Sequence, residues 1–368
     1  MKLEIVVVCM VVAAGAGVQG GTPPEAPKHV LVYREVGRYG GWPANHGIWC
    51  WGNEIVVGFS AAYAQKKPAD RHQYNSDKPE EPRLARSLDG GKTWSVEVPS
   101  SLLPPEQGGA AVRELREPMD FRHPGFAMAI RFTSTDKGPS RLFYSTDRGK
   151  TWAGPYKFPL LGQRGIAART DYVIDGKRDA FVFLTAAKSN GREGRPLCAR
   201  TTDGGLSWKF VSGIGEEPEG FSIMPSTVRL SKRELLTTVR CAGGSKDWID
   251  AYRTSDNVAT WQFLSRPAPS TGGMNGNPPS LVHLKDGRLA LTYGYRGRPY
   301  GIRARLSNDR GKTWSPEIVL RDDSATWEVG YTRSVQRPDG KIVTVYYFAE
   351  QAEMERAILA TIWDPGKR

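Results

Sequence analysis

Hydrophobic and polar positions alternate in short runs along most of this chain. Arg288-Leu-Ala-Leu-Thr-Tyr293 and Ile302-Arg-Ala-Arg-Leu306 show the pattern, with turn-rich polar stretches between such runs. A period of two predicts strands, because successive strand side chains point to opposite faces of a sheet. Strands of five or six residues separated by polar turns predict an all-β protein. Few stretches hold a helical period, which argues against a helical bundle. One run differs: Ile5 to Gly17 is wholly apolar or small and follows Lys2. It predicts a secretory leader over residues 1–20, and hence a secreted or periplasmic chain. The run is shorter than the roughly 20 apolar residues of a membrane helix. No later run is longer, so no membrane span is expected.

Five octets recur within the alternation: Ser87–Trp94, Ser145–Trp152, Thr201–Trp208, Thr254–Trp261 and Ser307–Trp314. Their aspartates, Asp89, Asp147, Asp203, Asp256 and Asp309, stand 58, 56, 53 and 53 residues apart. Such spacing means one supersecondary unit repeated. The octet carries turn chemistry. Its Asp can accept hydrogen bonds from backbone N–H groups further on, and the Gly two places later supplies positive φ. Its Trp predicts a large ring buried between neighbouring sheets. In the fourth copy Val258 replaces that Gly, and Asn257 is expected to take the left-handed position instead. Five copies of one carboxylate are structural, since a single catalytic site needs no such repetition.

Octets of this kind are Asp-boxes, and on them the chain resembles the sialidase (neuraminidase) superfamily of six-bladed β-propellers. The resemblance covers residues 21–368 as a single propeller, because five boxes and one box-less blade make six. It places blade cores near His46, Phe126, Tyr172, Ser226, Ser280 and Arg333. The early strand Val30–Glu35 would close the ring against the last blade.

In such a propeller the first strand of each blade lines the central channel and the second returns outside it. Starts of first strands and ends of second strands therefore share a face. First-strand starts supply His46, His123, Arg169, Asp171, Tyr172, Asn277, Tyr331 and Arg333, and second-strand ends supply Arg131, Arg240, Arg296 and Glu350. Converging guanidinium forks suit a carboxylate. The resemblance puts Arg240 and Arg296, with Arg298 in reserve, at the second and third members of a carboxylate-binding arginine triad. Arg131 joins them, and Arg333, Arg169, His123 and Trp42 are further expected substrate contacts. Tyr331, in Gly330-Tyr331-Thr-Arg333-Ser-Val-Gln-Arg-Pro-Asp339-Gly340, resembles the family's nucleophilic tyrosine. A phenol ionises near pH 10 unperturbed, so it needs a base or cationic neighbours. The family's acid/base aspartate lies in the long blade-one loop, where Asp70 and Asp77 both occur. Asp77 is the expected acid, with Asp171 the reserve carboxylate.

At two places the chain departs from the family. Gly41-Trp42-Pro43 stands where an Arg-Ile-Pro motif carries the first triad arginine, and Met224-Pro225 stands where an acid–Pro pair carries the activating glutamate. Trp42-Pro43-Ala-Asn45-His46-Gly47-Ile-Trp49 is instead dense in sugar-binding residue types. His46 can transfer protons near neutrality.

Composition narrows the function further. Hydrophobic residues make 39% and charged residues 24%, which excludes wholesale disorder. Net charge is +12, yet the basic residues are scattered, so the stripe that nucleic-acid binding wants is missing. An acidic glycan suits the charge better. Past the leader, Cys50, Cys198 and Cys241 are too few and odd in number for a disulfide framework. No metal-ligand spacing, phosphate-binding Gly loop or nucleophile elbow is present, so neither metal nor cofactor is expected. The expectation is a secreted, sialidase-like glycoside hydrolase acting on a terminal acidic sugar. Two readings stand beside it: a uronate-directed glycosidase or polysaccharide lyase using His46, and a non-catalytic carbohydrate-binding propeller.

Overall fold

The computed structural model describes residues 25–352 and 355–366, and the expected leader lies outside them. Six antiparallel sheets and three short 3-10 turns make up the described chain. Blade one runs from the broken first strand Arg38–Gly41 and Gly47–Trp51 through Glu54–Tyr63 and Glu81–Ser87 to Ser95–Glu97. Blades three, four and five are built around Ala180–Ala187, Leu235–Gly243 and Leu289–Tyr295. Blade two has three strands, Ala127–Phe132, Ser140–Ser145 and Ala153–Lys157, and the segment before it is turn rather than ladder. Blade six holds Gly330–Gln336, Ile342–Phe348 and Ala357–Trp363, and Lys28–Tyr33 pairs with the last of these. The expected closing strand is therefore in place. No helix among the described residues is long and apolar enough to cross a membrane.

The octets form the turns between third and fourth strands of blades one to five. In each, the Asp carboxylate accepts from the backbone N–H and the hydroxyl four residues on, as Asp147 does from Thr151. Although some hydration is lost, these bonds hold Asp147 down at about 2. In the fourth copy both Asn257 and Val258 have positive φ, at 62° and 66°, so the turn keeps its two left-handed residues without a glycine. Burial of the Val258 side chain against Phe183 and Cys198 offsets that strain. Each octet Trp packs toward the preceding blade. Trp152 is buried with Trp49, Val56 and Leu84 of blade one, and its indole N–H donates to Gly149 O at 3.1 Å. Six clusters of this kind fill the six blade-to-blade seams. Cys50, Cys198 and Cys241 are free thiols.

One irregularity positions the site. The first strands of blades one, three, four and six break at the same level, where the ladder skips Trp42–His46, Ala168–Asp171, Met224–Pro225 and Tyr331–Thr332. Three of the skipped residues, Trp42, Met224 and Tyr331, have φ of 55°, 55° and 51°. Left-handed bulky residues are uncommon and cluster where strain serves a site.

Candidate functional site

The breaks open onto a cavity of about 510 Å³ lined by Trp42, His46, Ser60, Tyr74, Arg131 and Tyr331, among others. The 3-10 turn Pro43–Asn45 carries His46 into it. Gly58 lets that ring approach, since a Cβ there would stand 2.7 Å from the His46 Cβ. The Arg131 guanidinium faces His46 Nδ1. Arginine only donates, so Nδ1 is the acceptor and the Nε2–H is left to donate to Ser60 Oγ, 3.0 Å away. Ser60 in turn hydrogen-bonds the Glu80 carboxyl. A directed chain thus runs Arg131, His46, Ser60, Glu80. Although Glu80 as a whole is exposed, its carboxyl reaches in to buried Ser60, and loss of hydration raises it above the usual range against the pull of that bond.

Tyr331 forms another part of the wall. Its backbone N–H donates to Asn277 Oδ1 at 3.1 Å, and Asn277 Nδ2 donates to Val329 O at 3.1 Å, which fixes the bulge. The phenol oxygen accepts from Arg240 Nη1 at 3.0 Å, and the Arg296 guanidinium lies 5.8 Å from the ring centre. Burial opposes ionisation of this phenol, but Arg240, Arg296 and Arg169 outweigh it and hold Tyr331 below the ordinary phenol value. Met224, where an activating carboxylate was absent from the sequence, contributes its sulfur 3.8 Å from Arg240 Nη1.

The expected site residues divide into those at the cavity and those elsewhere. Tyr331, His46, Arg131, Arg169 and Trp42 line it. Arg169 is neutralised by Glu193 and held by Asn45 Oδ1 at 3.0 Å. Arg131 has no salt bridge among the described residues, and burial lowers it to about 10. Trp42 is buried against Tyr39 and Tyr74, with ring centres 5.1 and 4.9 Å apart.

Arg240 and Arg296 sit behind Tyr331 rather than at the wall. Arg240 Nη2 donates to Asn275 O at 2.7 Å, and Arg296 Nη1 donates to Met274 O and Gly276 O, both at 3.0 Å. Neither has a salt bridge among the described residues. They act on Tyr331, and a carboxylate in the cavity would meet Arg131 first. Arg333 lies beneath, tying blade one to blade three through Ala44 O at 2.7 Å and Thr170 O at 2.9 Å. Asp171 is buried beside it with one oxygen on Thr227 N–H at 3.3 Å and the other unpartnered.

Two residues fall away from the cavity altogether. Asp77 is exposed, with its N–H capped by Asn75 Oδ1 at 2.9 Å, and it lines no part of the wall. His123 is exposed in the turn before the second strand of blade two, where Gly125 O accepts from the octet's Arg148 N–H at 2.9 Å, so it lies at the octet end. The missing first strand of that blade is the reason. Glu80, Ser60, His72 and Tyr74 were not singled out from the sequence. Glu80 had one signal, its place immediately before the strand Glu81–Ser87, three residues past Asp77.

A family model described as a BNR repeat-like domain matches residues 126–344, and the chain belongs to that family. Xyloglucanase Xgh74A of Acetivibrio thermocellus is 24% identical in an alignment 271 residues long that covers 67% of this chain and 28% of that protein. The chain thus spans under a third of that relative. A protein of unknown function from Dyadobacter fermentans superimposes with a TM-score of 0.71 at 23% identity, over 92% of this chain and 99% of the other. Trypanosoma rangeli sialidase, in complex with 2,3-difluorosialic acid, gives 0.60 at 14% identity over 91% and 59%. The NanB sialidase of Streptococcus pneumoniae gives 0.62 at 10% over 91% and 70%. The fold is a sialidase-like, six-bladed β-propeller.

Proposed function

We propose that this propeller is a glycoside hydrolase that acts on an acidic sugar held in the Tyr331 cavity. The observation that carries the reading is the cationic setting of the Tyr331 phenol, with Arg240 and Arg296 against it and no carboxylate paired to either among the described residues. Structural arginines are normally matched by acids, whereas this arrangement favours an ionised oxygen and an anionic ligand. Arg131, at the wall and likewise without an acid, is the clamp for the sugar carboxylate. In the first step the Tyr331 oxygen bonds to the anomeric carbon as the glycosidic bond breaks, and Glu80 gives its proton to the departing oxygen. Water then cleaves the tyrosyl–sugar bond, and Glu80 takes back a proton. Glu80 replaces Asp77 in this role because its carboxyl reaches the cavity. Kinship in sequence to a xyloglucanase and likeness in fold to sialidases both favour a carbohydrate. The leader predicted over residues 1–20 supports action outside the cytoplasm.

The chain through His46 favours a second reading, uronate chemistry in which His46 moves the proton. Assaying release from an aryl sialoside beside unsaturated-product absorbance on a uronate polymer separates the two. Under the first reading Tyr331→Phe keeps acidic-sugar affinity and loses turnover, while Glu80→Gln slows glycosides with poor leaving groups most. Arg131→Ala should weaken binding of acidic sugars by about 1.5–3 kcal/mol, the range for charged hydrogen bonds, and leave neutral sugars alone. Calorimetry showing wild type and Arg131→Ala equal on every acidic sugar would sink the clamp. Full turnover by Tyr331→Phe would sink the nucleophile.

A further inference from the structure

A second cavity of about 780 Å³ lies beside the first, between the blade-one loop and the ends of blades five and six. The wall between them is one segment thick. His72 and Tyr74 face the first cavity and Gln73, between them, faces the second. Trp327, on the second cavity, packs against His72 with ring centres 4.8 Å apart and planes tilted by 48°. Its indole N–H is anchored on Ala69 O at 2.6 Å, and Arg296 lies 5.1 Å beneath its ring.

The lining is both aromatic and cationic. Lys66, Lys67 and Arg298 reach this cavity, and none has a salt bridge among the described residues. Two acids share it. Glu328 is already engaged by Arg356 at 2.6 Å, by His72 and by Tyr39, and Glu355 accepts from Gly37 N–H at 3.2 Å. Glu328 and Arg356 cancel and Glu355 offsets one of the other three cations, so among the described residues the lining keeps a net positive charge. Tyr300, with Arg298 5.2 Å over its ring, and Trp327 offer the flat faces on which pyranose rings stack.

We propose that this cavity is a second sugar subsite, taking a further anionic residue of an acidic oligosaccharide whose neighbouring residue occupies the Tyr331 cavity. The proposal rests on the acidic-sugar reading above and extends it from a single terminal residue to a charged chain. Cations in excess of acids, aromatic faces and a shared wall are what a polyanionic glycan would need. A neutral chain would leave that excess unmatched.

The test is chain-length dependence, read by titration calorimetry with monomers and dimers of two series, galacturonate and sialic acid. In wild type the dimer of at least one series should bind at least about tenfold tighter than its monomer, the factor for one added charged contact. In Lys66→Ala/Arg298→Ala that ratio should fall toward one, and Tyr300→Ala should lower it in part. Both cations are exposed, so an unchanged melting temperature is expected to accompany the loss. A dimer no tighter than its monomer in wild type overturns the second subsite while leaving the acidic-sugar reading standing. A double variant that keeps the full ratio does the same. Absence of binding by wild type at either length in both series brings down the acidic-sugar reading, and this proposal with it.

Discussion

Asp171 shows how far a residue's role depends on what surrounds it. In sequence it is one carboxylate near a strand start. In the fold, loss of hydration drives it up to about 7, against the pull of Arg333 and of Thr227. The unfolded chain would release that proton near pH 4, roughly 3.9. Between about pH 4 and 7 the folded state therefore holds a proton that the unfolded state has lost, and stability falls as pH rises through that window. Asp171→Asn should flatten the fall, which denaturant unfolding at about pH 5 and pH 7.5 would measure. A variant that keeps the wild-type slope would assign the pH dependence to other groups. The same dependence on surroundings separates Glu80 from Asp77. The two stand three residues apart in one polar loop, and only the tertiary contact with Ser60 distinguishes the acid at the cavity from the one in solvent. Arg240 and Arg296 were legible as residues of the same propeller face as Tyr331. Their place behind Tyr331 was not, because it depends on carbonyls of residues 274–276 reached across two blades.

At the level of elements, the octet turn and its tryptophan are the repeated device of this propeller. Trp152→Ala would remove a buried ring from the seam between blades one and two and should lower stability by about 3–5 kcal/mol. Turnover per folded molecule should persist, because the octets lie at the end remote from Tyr331. A melting temperature equal to wild type would show that the seam does not depend on the ring. The octets were readable because their chemistry is local: in every copy the Asp accepts from the N–H and the hydroxyl four residues on. The breaks in the first strands were not readable. Trp42, Met224 and Tyr331 are bulky residues with positive φ, and nothing local favours that conformation. It is imposed by pairing on either side of the break and by side chains such as Asn277 that hold the bulge.

Across the whole molecule the ring is closed twice. Lys28–Tyr33 adds an outer strand to blade six, and the Glu328–Arg356 pair ties blade six to the blade-one loop through Tyr39, His72 and Gln73. Both partners are 1% exposed. Glu328 is bonded to Tyr39, His72, the Gln73 N–H and Arg356, so Glu328→Gln should cost about 1.5–3 kcal/mol in thermal or denaturant unfolding, the range for hydrogen bonds to a charged group. The loss should be accompanied by weaker ligand binding, since Gln73 and His72 form the wall between the cavities. A loss under about 1 kcal/mol would mean that water reaches the pair.

The period-two alternation and the five octets were enough to determine an all-β chain of repeated units and their order, and the resemblance that the octets carry to the sialidase superfamily implied the sixth blade and the closing strand. The repeated units follow from contacts close in sequence or from a repeat that recurs at nearly even spacing, so the chain itself carries the information. The cavity is of another kind. Arg131 comes from blade two, His46 and Glu80 from blade one, Tyr331 from blade six, and the two arginines behind it from blades four and five. Whether a side chain from each of these reaches the same point, and whether it arrives with or without a partner of opposite charge, is decided by packing across seams. Only the tertiary structure settles that, because desolvation and the cancellation of charge depend on distances between residues far apart in the chain.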